Sequence, residues 1–294
     1  MKSLFDGVCV ALATPFLEND RVDFVSLERL IDNCIKGGVH AIAILATTGE
    51  SPTVTEKERN LIIKFARKRI NGDVKLIIGT GSNNMDKAIN NTIIAKKLGA
   101  DGVLVVTPYY NKTTQEGIVE YYRALSQIGV PIIAYNVPSR TGLNIDLKTA
   151  KRLIKEDLIV GIKESTSDIN RIIELIHICD GKIAVYSGED NLNYLFYVLG
   201  GDGAVSVTAN ILPHEVVKLY DLVKAQKIKK AKKLAYRLDN INKLMFCETN
   251  PSPVKRALNI LGLSSNYVRP PLVKVSNHNA EKIKKELLKL TKNY

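Results

Sequence analysis

Cysteine is scarce in this chain. The four residues, Cys9, Cys34, Cys179 and Cys247, are widely scattered. None forms a CxxC pair or joins a histidine cluster, so no metal site is expected. Cys9 and Cys34 fall in apolar patterns and read as buried thiols, which suits a reducing, cytoplasmic compartment. No run reaches the roughly 20 apolar residues of a membrane span, so no membrane partner is expected. The opening MKSLFDGVCVALATPF is interrupted by Asp6 and ends in Thr14-Pro15 without a small-residue cleavage site. It reads as a first strand and not as a signal peptide. No GxGxxG follows it, which argues against a dinucleotide-binding fold. Acidic residues are the minority charge: 30 Asp and Glu against 42 Lys and Arg, a net +12. The basic excess lies in runs such as 227–233 and 282–292, which look like solvated helix faces and form no compact reading motif, so no nucleic-acid partner is expected. A positive field of this size can steer small anionic substrates.

What is present is a regular alternation. Apolar runs recur at 8–15, 41–50, 75–81, 102–110, 131–138, 158–164, 182–190 and 203–210. Their spacing of about 20–35 residues fits a strand–helix unit. Helical periodicity fills segments such as 23–37, 55–71, 85–98, 115–127, 146–155 and 168–179. In the second of these, Leu61, Ile62, Phe65 and Ile70 form an apolar stripe, and Thr55 with Glu58 forms a capping box at its start. The expected fold is α/β: a closed (β/α)8 TIM barrel over 1–213, followed by a C-terminal helical extension over 214–294 packed on the barrel. Within the extension, 214–225, 227–247 and 280–292 read as helices, and 253–261 adds a further turn or two.

In such barrels the chemistry gathers at the C-terminal ends of the strands. Two of these ends, 28 residues apart, carry Tyr135 and Lys163. A lysine closing an apolar strand suits Schiff-base chemistry, because an apolar wall disfavours the ammonium and leaves free amine to attack a carbonyl. A nearby tyrosine can shuttle the protons that imine formation requires. Side chains alternate along a strand, so Lys163 shares a face with Gly161, which leaves room below the amine, while Glu164 faces the other way. A lone strand-end lysine is more often solvated, so the neighbouring ends matter. The second strand ends in Ala46-Thr47-Thr48-Gly49-Glu50-Ser51, hydroxyls and backbone N–H groups that suit either a carboxylate site or a simple turn. The fourth ends in Thr107-Pro108-Tyr109-Tyr110-Asn111, tyrosines of the kind that often pack at a subunit interface. Arg140 follows the fifth and suits a carboxylate. Ser187-Gly188 and Val205-Ser206 close the seventh and eighth with small groups that could wall a small substrate.

At this point the chain resembles a known family. ATTGES, TPYYN, YNVPSRTG, GIKE and GGDGAVSVTAN, in this order from about residue 4 to residue 273, are similar to the pyruvate-dependent class I aldolase (N-acetylneuraminate lyase-like) superfamily, and within it most to the dihydrodipicolinate synthases. The resemblance implies that Lys163 captures pyruvate as a Schiff base and that Tyr135 is the general acid/base. It implies that Thr47 and Tyr110 complete a hydroxyl relay, with Tyr110 reaching across a tight-dimer interface. Thr48 and the Val205 backbone match contacts in the pyruvate pocket, and Gly188 falls in the wall beside them. Arg140 matches the group that binds the carboxylate of L-aspartate 4-semialdehyde. The resemblance further implies a homotetramer built as a dimer of dimers, and no metal or organic cofactor. Ser51, Asn83 and Tyr109 match a lysine effector site between subunits. Glu56 and Arg59, however, stand where lysine-sensitive members of one type carry histidines, and Lys87 stands where they carry a glutamate, so weak or absent lysine inhibition is expected. Two other readings stay open: a pyruvate–lysine aldolase or lyase acting on a sugar acid or N-acetylneuraminate, and a non-catalytic keto-acid-binding barrel. Arg140 speaks against the first, and the Lys163–Tyr135–Thr47–Tyr110 set against the second.

Overall fold

The computed structural model of the chain describes residues 3–72 and 74–291. Eight parallel strands close into a barrel in sequence order: β1 Gly7–Ala11, β2 Ala41–Ile44, β3 Lys75–Gly79, β4 Gly102–Val106, β5 Ile132–Asn136, β6 Gly161–Glu164, β7 Ala184–Ser187 and β8 Gly203–Ser206. Nearly every strand residue is buried. Strands covered on both faces read as continuous Val/Ile/Ala runs, which is why the apolar runs were visible without strict alternation. The strands are shorter than the runs: β1–β4 and β8 lie at the start of theirs, and the residues beyond turn into the loops that carry the polar groups.

Helices cover the outside where periodicity placed them, including Phe24–Lys36, Glu56–Arg69, Met85–Lys97, Gln115–Ser126, Leu147–Lys155 and Ile169–Cys179. Thr55 and Glu58 form the expected capping box. The stripe on that helix is narrower than expected: Ile62 and Ile70 are buried, but Leu61 faces outward at 47 % exposure. Leu61 and Ile62 are 100° apart on a helix and cannot share a narrow face. A short helix, Asn193–Val198, lies between β7 and β8 outside the segments picked out by periodicity, too short to display one.

Pro213–Lys224 packs against β1, Phe24–Lys36 and Asn193–Val198, completing the helical ring. Ile228–Leu244, Ser252–Ile260 and Asn277–Thr291 follow it; residue 292 of the last expected helix lies outside the described residues. No helix among the described residues is long and apolar enough to cross a membrane.

Register decides which side chains meet inside. Tyr135 pairs with Lys163, and Lys163 with Tyr186. Side chains at paired positions share a face of a parallel sheet. Following this row across β8 and β1 brings Val205 and Cys9 to the same inner face. Glu164 faces the helices instead: Asn136 Nδ2 donates to both of its oxygens, and Arg171 Nη2 donates to Oε2 at 2.9 Å. At the opposite end, Tyr186 stacks on Phe5 and donates to its carbonyl, plugging the barrel floor.

Candidate active site

Lys163 is 5 % exposed and Tyr135 7 %. The lysine Nζ lies 4.0 Å from the centre of the tyrosine ring. No carboxylate among the described residues stands within ion-pair distance of Lys163; the adjacent Glu164 is engaged by Arg171 on the far face of the sheet. Beneath, Cys9 belongs to the same interior. Burial pushes its thiol up to about 12, with the charge on Lys163 pulling the other way.

Gly188 makes room for the amine. A Cβ built there would stand 2.9 Å from Lys163 Cε and 1.9 Å from Ser165 Oγ, so any side chain would displace the lysine or its neighbour. The expected role of Gly161 is corrected. A Cβ there would meet Tyr186 and Ala184 first, so Gly161 makes space for the Tyr186 ring and not for the amine.

Beyond Tyr135 a cavity of about 990 Å³ opens. Its lining includes Thr47, Tyr135 and Arg140, together with Ser51, Tyr109, Glu56, Arg59 and Lys87. The candidates Thr47, Tyr135 and Arg140 therefore line the same space as the effector candidates Ser51 and Tyr109. Lys163, with its Nζ over the ring of the lining residue Tyr135, is not itself part of the lining. Thr48 is buried, and its Oγ1 accepts from Asn250 Nδ2 at 3.0 Å. Val205 is buried on β8. Asn83 is half-buried, and its carbonyl accepts from Asn111. Arg59 turns inward, donating to Ser51 Oγ and the Gly79 carbonyl. Tyr110 is the exception: it is 93 % exposed with a positive φ of 71° and points out of its own barrel.

Sequence reasoning missed the groups brought by the extension. Asn250 reaches Thr48, and its carbonyl accepts from Arg140 Nη2 at 3.4 Å. Lys255 ion-pairs with Glu50, whose Oε2 accepts from the Arg269 backbone N–H at 3.0 Å. Glu50 and Leu45, which flank the Ala46–Gly49 turn, both have positive φ, the kind of local strain that surrounding structure must hold. TNPSPVK, which carries Asn250 and Lys255, offered no periodic or chemical signal of its own.

The sequence profile described as Dihydrodipicolinate synthetase family matches residues 4–290. The chain belongs to the dihydrodipicolinate synthetase family. A 4-hydroxy-tetrahydrodipicolinate synthase of Thermodesulfovibrio yellowstonii is 45 % identical over 95 % of this chain and 96 % of its own. The dihydrodipicolinate synthase of Thermotoga maritima superposes with a TM-score of 0.95 at 39 % identity, covering 97 % of this chain and 98 % of that one. The chloride-inhibited dihydrodipicolinate synthase of Acinetobacter baumannii, solved with pyruvate, gives 0.93 at 41 %, covering 96 % and 97 %. Membership of the dihydrodipicolinate synthetase family makes the chain an enzyme of the lyase class.

Proposed function

We propose that the chain condenses pyruvate with L-aspartate 4-semialdehyde, the reaction of a 4-hydroxy-tetrahydrodipicolinate synthase, through a Schiff base on Lys163. The observation that carries this reading is the buried Lys163 amine against the Tyr135 ring, free of any ion pair among the described residues. The amine attacks the pyruvate ketone. Tyr135 and the Thr47 hydroxyl pass protons as water leaves, and Tyr110 of a second copy completes the relay. The protonated imine withdraws electrons, so the pyruvate methyl group loses a proton and becomes an enamine carbon. That carbon attacks the aldehyde. The amino group of the adduct then displaces Lys163 and closes the ring. Thr48, the Val205 backbone and Gly188 hold pyruvate, and Arg140 binds the carboxylate of the aldehyde substrate. The protonated imine formed on Lys163 is itself the electron sink, so this route needs no added cofactor.

The active assembly is a homotetramer in this reading. Its support is the outward Tyr110 and the apolar side chains of Ile169, Ile173 and Val198, each nearly half exposed. Catalysis resides in the barrel of 1–213, with 214–294 as the extension that braces it. Four free thiols fit a cytoplasmic setting. Lysine inhibits weakly or not at all, because Lys87 presents a like charge to a cationic effector near Ser51, Asn83 and Tyr109. A lysine titration at saturating pyruvate checks this; strong inhibition at sub-millimolar lysine, on the order of −4 kcal/mol or tighter, contradicts it.

A coupled assay tests the main reading. Pyruvate-dependent consumption of aspartate semialdehyde is expected. Cleavage of N-acetylneuraminate in its place would assign a sugar-acid lyase.

A further inference from the structure

We infer that Glu189 receives the ammonium group of the aldehyde substrate and takes one of its protons at ring closure, an inference that rests on the reaction proposed above. Aspartate 4-semialdehyde brings an aldehyde, a carboxylate and an ammonium. The enamine answers the aldehyde and Arg140 the carboxylate. None of the residues assigned so far answers the ammonium, which must nevertheless be held and deprotonated before its nitrogen can attack.

Glu189 is the carboxylate placed for this. It directly follows Gly188, just after β7, where a Cβ would stand 2.9 Å from Lys163 Cε; β7 and the Tyr135 strand β5 flank the Lys163 strand β6 on either side. Ser187 pins the turn: its Oγ donates to the Glu189 carbonyl at 3.0 Å and accepts from the Glu189 N–H at 3.3 Å. The backbone is thereby fixed, while the carboxylate makes no hydrogen bond or ion pair with any described residue. The neighbouring acids are all engaged. Asp190 accepts from Asn193 and from the backbone of Val207 and Thr208. Glu164 is held by Asn136 and Arg171 on the outer face, and Glu50 by Lys255. Burial raises the Glu189 carboxyl above the ordinary glutamate range; the charge on Lys163 is the main opposing influence, with Arg140 acting in the same sense. The carboxylate thus feels both groups that bind the substrates, and a raised basicity suits a proton acceptor.

The step balances as follows. One N–H proton of the substrate ammonium passes to the Glu189 carboxylate. The freed lone pair forms a bond to the imine carbon, and the C=N π pair moves onto the Lys163 nitrogen. A proton then passes from the new ring nitrogen to the lysine nitrogen, and the Lys163 C–N bond breaks with its electron pair leaving on the lysine. The cyclic iminium that remains gives up its proton to solvent.

The test compares the whole enzyme with Glu189→Gln and Glu189→Asp, using aspartate semialdehyde and succinic semialdehyde, which lacks the amino group. In Glu189→Gln the KM for aspartate semialdehyde is expected to rise roughly 10–100-fold, the size of a lost charge-assisted hydrogen bond. Inhibition by succinic semialdehyde and borohydride trapping of pyruvate on Lys163 are expected to stay at wild-type levels. Glu189→Asp, which keeps the carboxylate, is expected to recover most of the loss. An unchanged KM for aspartate semialdehyde, an equal weakening of both aldehydes, or loss of the pyruvate adduct in Glu189→Gln alone would overturn the inference. If Glu189→Gln does not fold, Glu189→Ala is read in the same way. Absence of a pyruvate adduct in the wild-type enzyme would instead remove the Schiff-base reading itself.

Discussion

Lys163 and Lys255 are both buried, 5 % and 1 % exposed, yet their surroundings differ. Lys255 is fully engaged: it ion-pairs with Glu50, donates to the Tyr267 carbonyl at 2.9 Å and lies 4.3 Å over the Phe16 ring. Burial brings its ammonium down to about 8, and Glu50 opposes that shift. Arg269 stacks on the same ring at 4.1 Å and continues to Glu58. Lys163 has its Nζ over the Tyr135 ring, Gly188 close to its Cε, and no carboxylate among the described residues in ion-pair contact. Burial alone therefore does not mark a lysine for covalent chemistry. A buried amine whose neighbours leave it uncommitted does, while one locked to a carboxylate ties the extension to the turn that carries Thr47 and Thr48.

Substitutions should separate these two roles. Lys163→Ala is expected to have the largest effect, abolishing turnover and pyruvate trapping while leaving the thermal transition near its wild-type position; residual trapping elsewhere would count against it. Tyr135→Phe removes one hydroxyl and keeps the ring against the amine, so the fold should persist while kcat falls about 10²–10⁴-fold. Near-normal turnover would make Tyr135 a packing residue only.

Lys255→Met should show the converse pattern. Glu50 is left buried without its cation, at a cost of about 3–5 kcal/mol in denaturant unfolding, while Lys163 still traps pyruvate in the folded fraction. An unaltered midpoint would show that Lys255 is dispensable. The smallest effect concerns the outer end of the same cluster. Hydrogen bonds from Arg269, supported by Thr55, hold the Glu58 carboxyl down from 4.5 to about 2. Its folded pKa lies below its unfolded one, so its contribution is full above about pH 4.5 and is lost as pH falls toward 2. Glu58→Gln should flatten the stability–pH curve in that window by about 1–2 kcal/mol, allowing for its partial exposure. A curve parallel to wild type would contradict the pairing.

The sequence revealed the barrel and the strand-end lysine and tyrosine because both depend on local pattern: apolar runs at regular spacing, each closed by a polar residue. It did not reveal the committed lysine, because Glu50 and Lys255 are distant in sequence and meet only when the extension folds back. Asn250 escaped for the same reason. Gly161 was misread because alternation along one strand says nothing of the neighbouring strand, where the Tyr186 ring fills the space. Glu189 stands directly after the Ser187-Gly188 strand end, but only the engagement of Asp190, Glu164 and Glu50 singles it out.

The most direct test is borohydride reduction of the wild-type protein with pyruvate, followed by mass mapping of the modified peptide. The account predicts one pyruvyl adduct, on Lys163, with Lys255 unmodified. An adduct on Lys255 or on any surface lysine, with Lys163 unlabelled, would contradict it.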